Sequence, residues 1–227
     1  VEQDRIWENY QNNPELTEIG CRDGGRIEAV ARLIPDRSRV LNIGVGRGTL
    51  ENILTSRNIE VYCLDPSKTS IERLRMSLGL GDRAQVGYSQ NIPFSDCFFD
   101  YVVMTEVLEH LSEDVFRKSC VEVSRVLKSD GTFLGTVPAD EDLKISMVVC
   151  PACGKTFHRW GHVQSFSLSS LKLLLSGYFS KVSIDRKVFI EWRALNWKGK
   201  ISSIFRLVLV KLGSQGSNQN FIFIAKK

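Results

Sequence analysis

Short apolar runs alternate along the chain with longer stretches in which apolar side chains recur every three or four positions. That alternation predicts strands exchanged with helices in a mostly parallel sheet. Arg39-Val40-Leu41-Asn42-Ile43 reads as a first strand, Glu60-Val61-Tyr62-Cys63-Leu64 as a second, and residues 84–87 as a third. Phe99-Asp100-Tyr101-Val102-Val103-Met104 is nearly continuous in its apolar character, so it predicts a fourth strand buried on both faces at the centre of the sheet. From Glu113 to Lys128, the residues Val115, Phe116, Ser119, Cys120, Val123, Val126 and Leu127 fall on one stripe at helical spacing. Asp130-Gly131 then turns the chain into a fifth strand, Thr132 to Val137, which stops at Pro138. Further helices are expected from Thr49, after Pro66-Ser67, and from a Ser167 cap to Leu175. Residues 178–185 and 220–225 read as two late strands around a helix-like segment at 201–212. The predicted class is α/β: a doubly wound, mostly parallel, seven-stranded sheet with an irregular insertion, residues 138–166, after strand 5.

Composition changes this picture little. With 227 residues and 43% hydrophobic content, the expectation is one domain over 1–227. The apolar run Ile204 to Val210 is broken by Arg206 and is far shorter than the roughly 20 residues that span a bilayer. Val1-Glu2-Gln3-Asp4-Arg5 lacks the basic-then-apolar layout of a secretory leader, and the location expected is cytoplasmic. Charge adds an asymmetry: residues 172–227 carry 11 Lys+Arg and 2 Asp+Glu, net +9, so the remainder of this +4 chain is net −5. A basic quarter of this kind is a solvated surface or attracts phosphate, RNA or anionic lipid.

Chemistry concentrates at the strand ends. Gly44-Val45-Gly46-Arg47-Gly48 follows the first strand and opens a helix, which leaves backbone N–H groups free to face a ligand. Asp65 lies at the tip of the second strand, 21 residues after Gly44, where an acceptor-only carboxylate can take both hydroxyls of a ribose. A nicotinamide fold would favour Gly-x-Gly-x-x-Gly, but position 49 is Thr.

Val-Leu-Asn-Ile-Gly-Val-Gly-Arg-Gly (40–48), Leu-Asp-Pro-Ser (64–67), Asn-Ile-Pro-Phe-Ser-Asp-Cys-Phe-Phe-Asp-Tyr-Val (91–102), Glu-Val-Leu-Glu-His-Leu (106–111), Arg-Val-Leu-Lys-Ser-Asp-Gly-Thr (125–132) and Gly-His-Val-Gln-Ser-Phe-Ser (161–167) occur in order. Together they resemble the class I S-adenosylmethionine-dependent methyltransferases over roughly residues 38–175. The resemblance implies a Rossmann-like fold and S-adenosylmethionine as cofactor. It implies that Gly44, Val45, Gly46 and Gly48 line its methionine and ribose portion, with Asp65 and the adjoining Pro66 at the ribose. Ser89, Gln90 and Asn91 would border the adenine, and Thr105 and Glu106 the methionine end. Two positions depart from the family: Asn42 stands where an acid is usual, though it can still accept and donate hydrogen bonds and stays a cofactor-binding candidate, and Tyr88 stands where an Asp for the adenine amino group is frequent.

The three histidines, 110, 158 and 162, all lie in the region that should surround the reacting methyl group, and they raise two metal readings. Cys150, Cys153, His158 and His162 have the spacing of a compact zinc knuckle. Alternatively, if 106–110 is helical, Glu106, Glu109 and His110 share a face, and His162 completes a shell for Zn²⁺ or another divalent ion. The second element resembles the metal site of small-RNA 2′-O-methyltransferases and some ubiquinone-pathway O-methyltransferases. A metal-free reading makes His162 a general base or substrate donor. The catalytic candidates are therefore His162, His110 and Glu106.

Because the sulfonium is already an activated donor, the protein must chiefly align the acceptor, deprotonate it and exclude water. The 138–166 excursion, with Phe157, Trp160 and Phe166, is the natural lid, and the segment around Trp7 and Tyr10 can close the other side. Phe189, Trp192 and Trp197 among Arg193, Lys198 and Lys200 suit an anionic or amphipathic ligand. The function expected is methyl transfer to an oxygen or nitrogen of a small molecule. The alternatives are RNA as substrate, or a noncatalytic cofactor-binding module.

Overall fold

A computed structural model of the chain describes residues 6–9, 13, 25–190, 195–211 and 219–227. Tyr10, Cys21, Trp192, Arg193 and Leu212 lie outside them. The first described helix of the domain, α1 (Arg26–Ala31), precedes β1 (Arg39–Ile43), α2 (Thr49–Thr55), β2 (Glu60–Asp65), α3 (Lys68–Leu78) and β3 (Ala84–Val86). Then come β4 (Phe99–Thr105), α4 (Glu113–Val126) and β5 (Leu127–Pro138). The chain continues through β6 (Met147–Val149), β7 (Thr156–His158), α5 (Leu168–Ser176), β8 (Lys181–Lys187), α6 (Trp197–Lys211) and β9 (Asn220–Lys226).

Seven strands form one sheet in the order β3-β2-β1-β4-β5-β9-β8. β1 to β5 run parallel, and β9 is antiparallel to both β5 and β8. β4 is thus the central strand. Alternate side chains enter two cores: Leu41, Val102 and Met104 pack on one face with Phe116, Cys120 and Val123 of α4. Val40, Val61 and Val103 pack on the other with Leu50, Leu54, Ile71 and Leu74 of α2 and α3.

The boundaries shift where hydrogen bonds outrun the hydrophobic pattern. β8 begins three residues later than its apolar run because Tyr178 and Phe179 donate their N–H groups back to Leu175, prolonging the end of α5. α6 begins four residues earlier, at Trp197, because the Asn196 side chain accepts the N–H of Gly199 at 2.9 Å and so caps it. The stretch after β5 is not wholly irregular, since β6 and β7 pair as a small antiparallel hairpin, and an Ala139–Phe166 bridge closes its base.

The C-terminal ends of the parallel strands form one edge. β8 ends and β9 begins at that same edge, so the 188–219 connection, including α6, hangs from it. Close approach of strands fixes the spacing beneath: a Cβ on Gly135 would fall 2.2 Å from the Met104 carbonyl oxygen and 2.5 Å from the Phe223 ring. Gly135→Ala is therefore expected to cost about 1–3 kcal/mol, read as a fall in Tm. Gly177→Ala, whose nearest neighbour would lie at 3.4 Å, should stay near wild type.

Candidate active site

At the end of β1 the chain turns through Gly44, Gly46 and Gly48, all with positive φ. Gly44 cannot be replaced cheaply, because a Cβ there would sit 2.5 Å from Cγ2 of Val107. That contact joins the glycine loop to the segment after β4. Asp65, 3% exposed, organises the loop: its Oδ2 accepts the N–H of Val45 at 2.9 Å and its Oδ1 the N–H of Ser67 at 2.8 Å. Gly46 is held in turn through its carbonyl by Arg73 at 2.8 Å. Pro66 is exposed beside Asp65. Of the adenine candidates, Gln90 is half-buried and Asn91 exposed, but Ser89 is buried, with its hydroxyl 2.7 Å from that of Ser119 on α4. The Ser89 side chain is thereby committed to packing the helix.

Asn42 does not stand alone. Its Nδ2 donates to Oε1 of Glu51 at 2.7 Å, and both residues are buried. An acid absent from position 42 is thus supplied nine residues later, from α2. Burial pushes the Glu51 carboxyl up to about 7, against the opposing pull of the Asn42 hydrogen bond. Sequence reasoning passed over Glu51 because its contact crosses a loop between strand and helix.

Beyond β4, residues 106–110 are not α-helical, so the condition for a shared face of Glu106, Glu109 and His110 is not met. Glu106 takes a left-handed conformation, φ 55°, and only a short 3-10 turn, Leu108–His110, follows. Glu106 therefore turns away from Glu109. Its carboxylate accepts from the Thr136 hydroxyl at 2.9 Å and from Asn220 at 3.0 and 3.1 Å, and lies 3.7 Å from Arg26. Thr105, at the end of β4, is half-buried beside it.

Glu109 and His110 instead meet the loop after β7. The Glu109 carbonyl accepts the N–H of Val163 at 2.9 Å, and the Gln164 amide donates to the carbonyls of Leu108 and Leu111 at 2.9 and 2.7 Å. This clamp brings His162 over the turn. Nε2 of His110 and Nε2 of His162 each lie 4.0 Å from Oε1 of Glu109. The Glu109 side chain is 1% exposed, and neither of its oxygens has a hydrogen-bond partner. Burial raises its pKa well above the ordinary carboxylate value, and Glu106 adds to the shift. Burial, then His162, lowers His110 to about 3.

Both imidazoles are oriented from behind. Nδ1 of His110 is 3.2 Å from the Gly161 carbonyl, to which it can only donate, and Nδ1 of His162 is 2.5 Å from Oε2 of Glu141. Each Nε2 is then left with its lone pair toward Glu109. His158 is arranged differently: its Nδ1 accepts the N–H of His162 at 3.1 Å, so its proton sits on Nε2, 3.5 Å from Oε1 of Glu141.

Among the described residues two groups bring three ligand atoms within 4.8 Å of one another: Glu109, His110 and His162, and Glu141, His158 and His162. Neither contains Glu106, Cys150 or Cys153. The zinc-knuckle set therefore does not assemble, because Cys150 and Cys153 sit at the turn of the β6–β7 hairpin while His158 and His162 are drawn to Glu141. The four-ligand alternative loses Glu106 to Thr136 and Asn220. Glu141 carries no local pattern that marks it, since its partner lies 21 residues away.

Residues 41–135 match the family described as Methyltransferase domain. A Bacillus subtilis protein named as a methyltransferase, YrhH, is 30% identical over 106 residues, covering 44% of this chain and 57% of its own length. The uncharacterized methyltransferase YcgJ of Bacillus subtilis is 34% identical over 100 residues, 42% of this chain and 39% of its own. The chain thus matches little more than half the length of one curated relative and less than half of the other. Among solved structures, the 1,6-didemethyltoxoflavin-N1-methyltransferase of Burkholderia thailandensis, with bound 1,6-didemethyltoxoflavin and S-adenosylhomocysteine, superposes with a TM-score of 0.65 at 13% identity, covering 100% of this chain and 87% of that one. The methyltransferase-domain match is confined to residues 41–135, under half of the chain, and the solved structure shares the fold.

Glu51 supplies a pH signature. With its folded value near 7 and its unfolded value near 4.5, the neutral buried form contributes stability that is complete below pH 4.5 and is lost as pH rises through 7. Melting curves from pH 5 to 8.5 should show Glu51→Gln flattening that decline, equal to wild type at the acid end and more stable at the alkaline end.

Proposed function

We propose that the chain transfers the methyl group of S-adenosylmethionine to an oxygen or nitrogen of a small-molecule acceptor, beside a divalent cation held by Glu109, His110 and His162. The observation that carries this reading is the Glu109 carboxylate, buried, unpaired and facing two imidazole lone pairs. An uncompensated carboxylate in such a place is costly, and a cation removes the cost. Ligand atoms about 2.0–2.2 Å from one tetrahedral ion lie roughly 3.3–3.6 Å apart, so the 4.0 Å edges would have to close by about half an ångström on binding. Two imidazoles with one carboxylate favour Zn²⁺ or Mn²⁺ over Mg²⁺.

The loop amides of 44–48 and the Asp65 carboxylate hold the cofactor, and the Gly44–Val107 contact sets it beside the Glu109 turn. When bound, a divalent ion there lowers the pKa of an acceptor hydroxyl. Glu141 positions His162 by fixing its tautomer, and Glu106 holds the end of β4 to β5 and β9. The 138–166 segment serves as the lid, with Trp160 and half-buried residues beside the histidines excluding water.

The 2.5 Å Glu141–His162 contact also favours a metal-free reading, in which His162 Nε2 takes the acceptor proton as general base while Glu141 stabilises the imidazolium.

Calorimetric titration with S-adenosylmethionine should give saturable binding that Asp65→Ala weakens by at least about tenfold, the order of a lost charge-assisted hydrogen bond. Absence of binding by folded protein overturns the enzyme reading. For the metal, elemental analysis of tag-free protein should give a stoichiometric divalent ion. Chelation should lower Tm by the equivalent of about 2–3 kcal/mol, with Glu109→Gln removing both the ion and the effect. A folded, active, metal-free protein assigns the chemistry to His162 instead.

A further inference from the structure

α6 is built the wrong way round for a helix that completes a core. Trp197, Ile201, Ile204, Phe205 and Val208 recur at i, i+4, i+7, i+8 and i+11, one continuous stripe, and they are 67, 59, 54, 65 and 48% exposed. The positions that are only partly exposed, Gly199, Ser203 and Leu207, form the opposite line at i, i+4 and i+8 and carry little apolar surface. Among the described side chains of the helix, the apolar stripe is thus the more exposed side. Trp-Lys-Gly-Lys-Ile-Ser-Ser-Ile-Phe-Arg-Leu-Val-Leu-Val-Lys also contains four Lys or Arg and no Asp or Glu.

We propose that α6 is a docking surface for an anionic lipid bilayer, lying in the plane of the headgroups with its Trp, Ile, Phe and Val side chains buried in the acyl boundary. The reading goes beyond methyl transfer and stands without it. An apolar stripe of Trp and aliphatic residues bounded by cations, with no acid, is the composition of an interfacial helix. Charge complementarity selects the occupant. A second copy of the chain, pairing this stripe with itself, would bring Lys198 and Lys200 of each copy together with no anion of the helix between them. Single-stranded RNA could stack on Trp197 and Phe205, but Ile201, Ile204 and Val208, the larger part of the stripe, offer bases no platform and suit acyl chains. No helix among the described residues is long and apolar enough to cross a membrane.

Topology makes the contact useful. The connection carrying α6 leaves the sheet at Lys187 and returns at Asn220, whose side chain bonds Glu106 at the acceptor end of the site. Docking through α6 brings the catalytic edge to the headgroup layer.

The test is co-sedimentation of the full chain with phosphatidylcholine vesicles, with and without about one-third phosphatidylglycerol. Binding to the anionic vesicles is expected, at least about tenfold weaker without phosphatidylglycerol or in high salt. The double variant Ile201→Asp, Phe205→Asp should weaken it by at least about tenfold. Both residues are exposed, and an unchanged melting curve confirms that the variant folds. Failure of the wild type to bind anionic vesicles overturns the proposal, as does equal binding by the variant. Dimers that the variant disperses, without vesicle binding, make the stripe a self-association face and overturn it too. Salt-dependent binding of an RNA oligonucleotide in place of vesicles does the same.

Discussion

Glu106 leaves β4 in a left-handed conformation that an L-residue with a side chain adopts at a cost, and the surrounding hydrogen bonds over-determine it. Its N–H donates to the Thr136 carbonyl at 2.9 Å, extending the β4–β5 pairing by one residue, while its carboxylate is gripped by Thr136 and Asn220. Three strands of the sheet thereby converge on one residue. Everything beyond it is aimed by that turn: Val107 goes down against Gly44, Glu109 goes inward, and His110 meets the loop that carries His162. Were 106–110 helical, Glu106 would lie on the same face as Glu109, with nothing tying β9 to the end of β4.

The same constraint explains which parts of the site could be read in advance. The central position of β4 followed from its continuous apolar run, because only a strand covered on both faces tolerates one. The glycine loop and Asp65 were legible since their roles depend on local geometry: positive φ at three glycines and an acid at a strand tip. The 106–110 segment misled because the i, i+3, i+4 spacing of Glu106, Glu109 and His110 is helical in sequence, whereas the β4–β5 ladder bends the backbone before a helix can start. Cys150 and Cys153 misled for a related reason. Their spacing suits a zinc knuckle, but a hairpin turn projects them while a carboxylate at Glu141 claims the nearby imidazoles. Glu51 and Glu141 left no trace in periodicity, for each acts on a residue brought near only by the fold.

These long-range acids share a physical logic. Glu51 and Glu109 are both fully buried carboxyls, and burial raises the pKa of each, yet their surroundings differ. Glu51 has the Asn42 amide donor at 2.7 Å and lies near Cys63, whose thiol burial keeps protonated, so a neutral carboxyl is comfortable there. Glu109 has no donor and instead meets two imidazole nitrogens presenting lone pairs. One site accommodates a proton as part of the core. The other gathers acceptors around a common point, an arrangement that is costly without a proton or a cation.

Burial and exposure are apportioned in the same way at the sheet edge. The strand ends carrying the glycine loop, Glu106 and Asn220 lie at one edge of the sheet, and the β8–β9 connection leaves from it. A helix placed there to stabilise the domain would turn Trp197, Ile201 and Phe205 toward the sheet, gaining apolar burial worth about 1.5–3 kcal/mol for each large side chain. α6 forgoes that gain and sets Gly199, Ser203 and Leu207 inward instead.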